Sequence, residues 1–391
     1  MKHTIRILNS PNAKYRFFAF ISIIILAFTS QLIGEETSGE KEILLNPDIK
    51  IMVDSYYAVT NNRYPNRERP YITQGLNQDE FSVNHALVNI QKESQKFRYA
   101  LGVHTGSYVQ KNYSEEPENM QYIYQGWGGF KLTDGLWLDA GIFPSHIGGE
   151  STISLENFNY TRSLVAENSP YYESGARLVW DMTDDLQLSF YVLNGWQRIK
   201  DNNRDKAAGI QFQYKITENW TFNYSNFIGN EESDSAVRKT RYFQDVYLKG
   251  SIFPWWDLYM IYDIGYQKEQ KVDWVTRLDS PTQWLESGKT KGYNQWQGFA
   301  IQFYFHLSDQ WKIGMRGEGF YDQYNIVTIT NTPDGYNVEA GSINIDYLPV
   351  ENAKLRLECT QKVANNRIYE TENHKWTRVE NLLIVSLAFM L

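Results

Sequence analysis

Phe299, Ile301, Phe303, Phe305 and Leu307 alternate with Ala300, Gln302, Tyr304 and His306 before the polar pair Ser308 and Asp309. A period of two sorts one face to be apolar and the other polar, which predicts a strand. The next stretch repeats the pattern, with Trp311, Ile313 and Met315 on one parity and Lys312, Arg316 and Glu318 on the other. Segments of this kind, each about ten residues long, recur along about 340 residues and are joined by connections that are alternately very short and long. A soluble half-buried strand shows the pattern once. Its repetition along the chain predicts an all-β fold, a closed antiparallel transmembrane β-barrel with lipid outside and water inside.

Sixteen strands are expected at about 48–60, 80–91, 96–110, 121–132, 136–146, 172–182, 186–196, 207–217, 220–230, 241–253, 256–268, 296–307, 310–322, 335–348, 353–364 and 380–391, with fourteen or eighteen as the alternatives. The even count suits a closed antiparallel bacterial barrel, short turns facing the periplasm and long loops facing outside. Tight turns are expected at 93–95, 133–135, 183–185, 218–219, 254–255, 308–309 and 349–352, which puts both chain ends on the short-turn side. Leu383, Val385, Leu387, Phe389 and Leu391 alternate to the last residue, a terminal strand of the kind read by the barrel-assembly machinery. Three places resist the pattern. Over 81–90 and 122–132 either parity could face lipid, and Glu339 falls on an apolar parity.

At the N-terminus, Lys2, Arg6, Lys14 and Arg16 precede an apolar run from Phe17 to Phe28 and then small and polar residues, which predicts a signal peptide over 1–34. The run is too short for a spanning helix, which needs about twenty residues. A short periplasmic segment, 35–47, then leads into the barrel at 48–391. The chain is 42% hydrophobic and holds 28 Tyr and 12 Trp, as expected when every second residue is apolar and aromatics ring both membrane surfaces. The single cysteine, Cys359, can form no internal disulfide and is expected to face lipid. The net charge of -8 becomes -12 once the four basic residues of the signal are removed, which argues against a nucleic-acid partner.

Four blocks carry a resemblance: DAGIFPSHIG from Asp139, AENSPYYESG from Ala166, LNGWQ from Leu193 and FIGNE from Phe227. They resemble the OmpL-like β-barrel porins, over most of 50–391 and most strongly between 120 and 232. The resemblance implies an outer-membrane barrel with a pore, and brings no catalytic residues.

The connection 147–171 is the third outer loop and carries Glu150, Glu156, Arg162 and Glu167. It is expected to fold into the lumen and narrow it, the alternative being an exposed loop. Polar-parity residues that could face it are Arg98, Arg177, Lys249, Lys312, Arg316 and Arg356, against Asp54, Asp139, Asp245, Asp263, Glu318 and Glu358. Fixed charges on opposite walls of a narrow aqueous space filter solutes. The competing reading makes the same residues ion pairs that brace the barrel. The near-balance of signs leaves ion preference open.

Other motifs fail on inspection. Gly288, Lys289 and Thr290 end a phosphate-loop pattern whose first glycine is replaced by Gln283, and Asp201, Asn203 and Asp205 lack the glycine and glutamate of a calcium loop. The six histidines show no metal-ligand spacing, and no cofactor is implied. His306 is the nearest candidate for an outer-membrane hydrolase, but has no evident partner in sequence. An adhesin or receptor would work through its outer loops at 61–79 and 269–295. The expected function is passive diffusion of small hydrophilic solutes, in outer-membrane lipid, with a homotrimer open as the assembly. An eight-stranded barrel fills with its own side chains, whereas sixteen strands leave an aqueous lumen.

Overall fold

The structure is a computed structural model that describes residues 47–277 and 280–391, with side chains described outside 269–291. The expected signal peptide and nearly all of the 35–47 segment lie outside the described residues. From residue 48 the alternation resolves into strands β1 (Asp48–Thr60), β2 (Phe81–Glu93), β3 (Phe97–Thr105), β4 (Ile123–Thr133), β5 (Leu136–Pro144), β6 (Tyr172–Asp181), β7 (Leu186–Leu193) and β8 (Ala207–Thr217). There follow β9 (Trp220–Asn230), β10 (Thr240–Phe253), β11 (Trp256–Arg277), β12 (Ser280–His306), β13 (Trp311–Asp322), β14 (Tyr336–Val350) and β15 (Ala353–Ala364). After two two-residue strands, β16 (Tyr369–Glu370) and β17 (Trp376–Thr377), comes β18 (Val379–Met390). Every barrel strand pairs antiparallel with its neighbours, and β18 closes the ring between β15 and β1. The closed sixteen-stranded barrel is therefore the architecture. Among the described residues no helix is long and apolar enough to cross a membrane.

The sorting of side chains follows the pleat. On β15, Leu355, Leu357, Cys359, Gln361 and Val363 point out while Lys354, Arg356, Glu358, Thr360 and Lys362 are buried inside. On β18, Leu383, Val385, Leu387 and Phe389 are 41–48% exposed, a row that only lipid would cover. Phe253, Trp255 and Trp256 stack beside Phe305 at the periplasmic edge, and Tyr57 packs on Phe81 near the outer one, as membrane-surface aromatics do.

The two ambiguous stretches contain bulges, which explains their mixed parity. The β1–β2 register steps from Asp54↔His85 to Ser55↔Val83, so Asn84 is the extra residue and both it and His85 turn inward. Phe81 and Val83 face lipid on one side of the bulge; Val88 does so on the opposite parity beyond it. A second shift, between Gly102 and Val103, skips Tyr124 on β4. Outward-facing Glu339 accepts a 2.8 Å hydrogen bond from Tyr321 Oη.

Four expected boundaries are corrected. β3 stops at Thr105 instead of 110, because Gly106 adopts φ 126° and a Cβ there would lie 2.3 Å from the Asn84 carbonyl oxygen; the chain turns into helix α1 (Ser107–Asn112). β5 and β7 end at Pro144 and Leu193, earlier than their polarity suggested. The expected loop at 269–295 is instead a continuation of the β11–β12 ladder, from Lys268↔Tyr293 to Arg277↔Ser280, in a segment rich in strand formers such as Val272, Val275 and Thr276.

The lipid face can be tested at adjacent positions on β12. Ile301→Arg should impair assembly by about 2–4 kcal/mol if it lies near the bilayer midplane. Gln302→Arg points inward beside Glu150 and should be tolerated. Folded fraction by heat-modifiable gel mobility checks both; equal effects would contradict the facing assigned to this strand.

Candidate functional site: a lumen crossed by the third outer loop

Loop L3 (145–171) leaves β5 at Pro144 and enters the lumen. It contains a short 3-10 turn (Ser154–Glu156) and a single-turn helix, α2 (Leu164–Glu167), so most of its backbone polar groups lack partners within the loop. The wall supplies them. Glu358 accepts from the amides of Tyr160 and Thr161 and from the Thr161 hydroxyl. Glu318 accepts from the Leu164 amide at 2.5 Å. In the opposite sense Arg356 donates to the carbonyls of Asn157 and Ser154, Arg316 to that of Thr161, and Lys354 to that of Leu155. Phe158 stacks on Tyr304 with ring centroids 5.0 Å apart.

These contacts distribute the residues singled out in the sequence. Arg316 bonds Glu318 at 2.8 Å, and Arg356 bonds both oxygens of Asp346. Glu150 accepts from the Ser163 amide at 3.0 Å and from Gln302 at 2.7 Å, and lines a gap under L3 with Glu156 and Lys249. Arg162 is buried against the faces of Tyr171 and Tyr108, at 3.7 and 4.5 Å, and donates to Thr73; Glu167 accepts from Thr73 through both its amide and hydroxyl. Burial disfavours the Arg162 cation, but the surrounding tyrosines and Glu167 outweigh it and raise its pKa. Arg98 and Arg177 share Asp139 on the far wall. Asp245 faces Asp263 in register and accepts from Asn223 at 3.2 Å. Lys312 bonds His306 near the periplasmic rim.

The loop's root is held by His146. Its Nδ1 lies 2.8 Å from Glu173 and its Nε2 2.8 Å from the Asn226 carbonyl, so both ring nitrogens meet acceptors, an arrangement that favours the imidazolium. Burial opposes that charge, yet Glu173 and the two accepting oxygens raise the pKa above the ordinary imidazole value. Gly209 makes room: a Cβ there would lie 2.5 Å from His146 Nε2.

Sequence reasoning missed a second inward loop. In L1 (61–80), Arg69 is fully buried and pairs both oxygens of Glu380, each at 3.1 Å, with Lys362 at 3.6 Å and Tyr64 donating at 3.0 Å. Lys362 and Glu380 lie on the polar parity of neighbouring strands, the one signal available. Also missed were the buried His85–His104 contact, 3.1 Å between ring nitrogens, and a group of inward aromatics at the outer strand ends that includes Phe143, Phe227, Phe243, Trp296, Phe320 and Tyr336. His306 has a partner after all, Asp257 at 2.6 Å, but among the described residues it hydrogen-bonds no hydroxyl or thiol that could serve as a nucleophile.

Against this geometry the comparisons are direct. The family described as "Putative beta-barrel porin-2, OmpL-like" matches residues 48–391. No curated protein matches the chain. Among solved structures, the outer membrane channel DcaP of Acinetobacter baumannii is similar at 10% identity with a TM-score of 0.56, covering 92% of this chain and 99% of that one. OmpF of Salmonella typhi, solved with daunomycin, is similar at 8% and 0.56, covering 88% and 97%. The anion-selective porin of Comamonas acidovorans is similar at 6% and 0.55, covering 88% and 99%. At such identities the structures show a common fold, while the family match spans the whole barrel: the chain belongs to the OmpL-like β-barrel porins and is an integral protein of the outer membrane.

Proposed function

We propose that the barrel is a passive channel in which L3 sets the bore and small hydrophilic solutes pass along the wall formed by β3–β8. The observation that carries this reading is the one-sided seating of L3. Apart from its root, where the His146 carbonyl accepts from Gln211 on β8 and Ser225 on β9, its backbone is bound mainly to β11, β13 and β15, with side-chain contacts to β12 and β14, and a cavity of about 310 Å³ lies on the opposite wall, lined in part by Arg98, Trp127, Arg177 and Gln211. Sixteen strands enclose more volume than their own side chains fill, so the inward loops, and not the strand count, limit solute size. The charged residues on β13 and β15 hold the loop; those on β3 and β6 face the passage. For assembly we propose a homotrimer, on the likeness to OmpT of Vibrio cholerae, described in a trimer form and similar at 8% identity with a TM-score of 0.55.

Refolded protein in a planar bilayer should give discrete, stable conductance steps; silence from protein shown to be folded would reject the channel. Glu358→Ala leaves the Tyr160 and Thr161 amides without their acceptor, at a cost of about 1–3 kcal/mol. It should lower the unfolding temperature and raise conductance or its noise as L3 loosens, with Glu358→Gln intermediate because an amide oxygen still accepts. Unchanged conductance in Glu358→Ala would show that L3 does not set the bore. A mass of three barrels in native detergent solution supports the trimer, and a mass of one rejects it.

A further inference from the structure

We propose that the cavity on the β3–β8 wall is a binding site for a small organic carboxylate in transit. The proposal rests on the channel reading for the solute's route, though the site itself is defined by side chains alone. Its centre is an unequal charge count. Arg98 grips both oxygens of Asp139, at 2.8 Å each, and Arg177 Nε reaches the same carboxylate at 2.8 Å. Asp139 is fully buried, so one carboxylate is consumed between two guanidiniums and one positive charge is left over. Glu93 lies 3.7 Å from Arg98 but is 65% exposed at the rim, where solvent screens it. His146, at the cavity roof, is already matched by Glu173.

The surplus charge is presented in a fixed orientation. Arg98 lies 4.6 Å over the Trp137 ring, and Arg177 lies 4.9 Å over Trp127 and 4.7 Å over Phe143. The terminal amino groups of Arg177 hydrogen-bond no described residue, and its side chain keeps 17% exposure toward the cavity. A guanidinium edge held flat between aromatic rings presents two parallel N–H groups, the spacing that a carboxylate accepts as a pair. Trp127, Tyr191 and Val179 add apolar surface for a carbon body, which a bare halide would leave uncovered. At about 310 Å³ the space falls at the small end of ligand pockets, so the solute is a small one.

Benzoate, with neutral benzyl alcohol as its uncharged counterpart, tests the site by titration calorimetry on detergent-folded protein. Wild type should bind benzoate and not benzyl alcohol. Arg177→Gln should weaken benzoate binding about ten- to hundredfold, the size of one lost charge-assisted contact. The fold should persist, because Arg98 still pairs both oxygens of Asp139. Lys215→Gln removes the same charge from an exposed position near the periplasmic turn and should leave the affinity unchanged. Equal binding of the two probes, or equal loss in the two variants, overturns the proposal. Conductance separates it from the channel reading: a conducting pore with no benzoate binding removes the site and keeps the channel, whereas binding without conductance keeps the site and removes the channel.

Discussion

An irregular backbone inside a barrel must find hydrogen-bond partners there, and everything in this lumen is arranged around that requirement. Neither a helix nor a sheet satisfies most of L3, so the wall does it with charged side chains: carboxylates for its amides, guanidiniums and an ammonium for its carbonyls. Burying such charges is costly unless each is paired and fully bonded. Arg356 with Asp346 and Arg316 with Glu318 meet that condition, each pair closing its own balance while its remaining hydrogen-bonding capacity reaches the loop. On β13 and β15 the pairs hold L3, whereas Arg98 on β3 and Arg177 on β6 pair Asp139 beside the cavity.

Small departures from regular strand geometry place the rest. The bulge at Asn84 sends two consecutive residues inward, so that Asn84 reaches both Asp54 and the Gly75 amide while His85 meets His104. The bend at Gly106 starts α1, whose Ser107 meets the Tyr56 hydroxyl at 3.2 Å. L1 then repeats the logic of L3, with one buried guanidinium, Arg69, held between Glu380 and the Gly75 carbonyl. Two loops entering from different strands are tied to each other through Thr73, Arg162 and Glu167.

The strand count and the facing of β12, β13, β15 and β18 were legible because lipid enforces a period of two. Where that period broke, over 81–90 and 122–132, the break was itself the trace of a bulge. The partners of the charged wall residues were not legible. Glu358 meets Tyr160 and Thr161 across 198 and 197 positions, and nothing local to either end encodes the meeting. Arg69 is one of three arginines in an outer loop, and its burial depends on Glu380 and Lys362 at the far end of the chain. The extension of β11 and β12 was hidden by their polarity, because strands that project beyond lipid lose the apolar row that announces them.

The span of the L3 contacts bears on how the molecule comes together. The wall residues that bind the backbone of 154–164, the middle of the loop, lie on strands that begin at 311 and end at 364, so the first half of the chain cannot seat that part of its own loop. The wall that binds L3 is complete only with β13 and β15 in place, and β15 is the last barrel strand before β18 meets β1. Loop docking and ring closure thus both rest on contacts of high sequence separation, which slow folding. The barrel and its seated loop therefore depend on the same strands, and a chain stalled before its final hairpin would be an open sheet with an unseated loop.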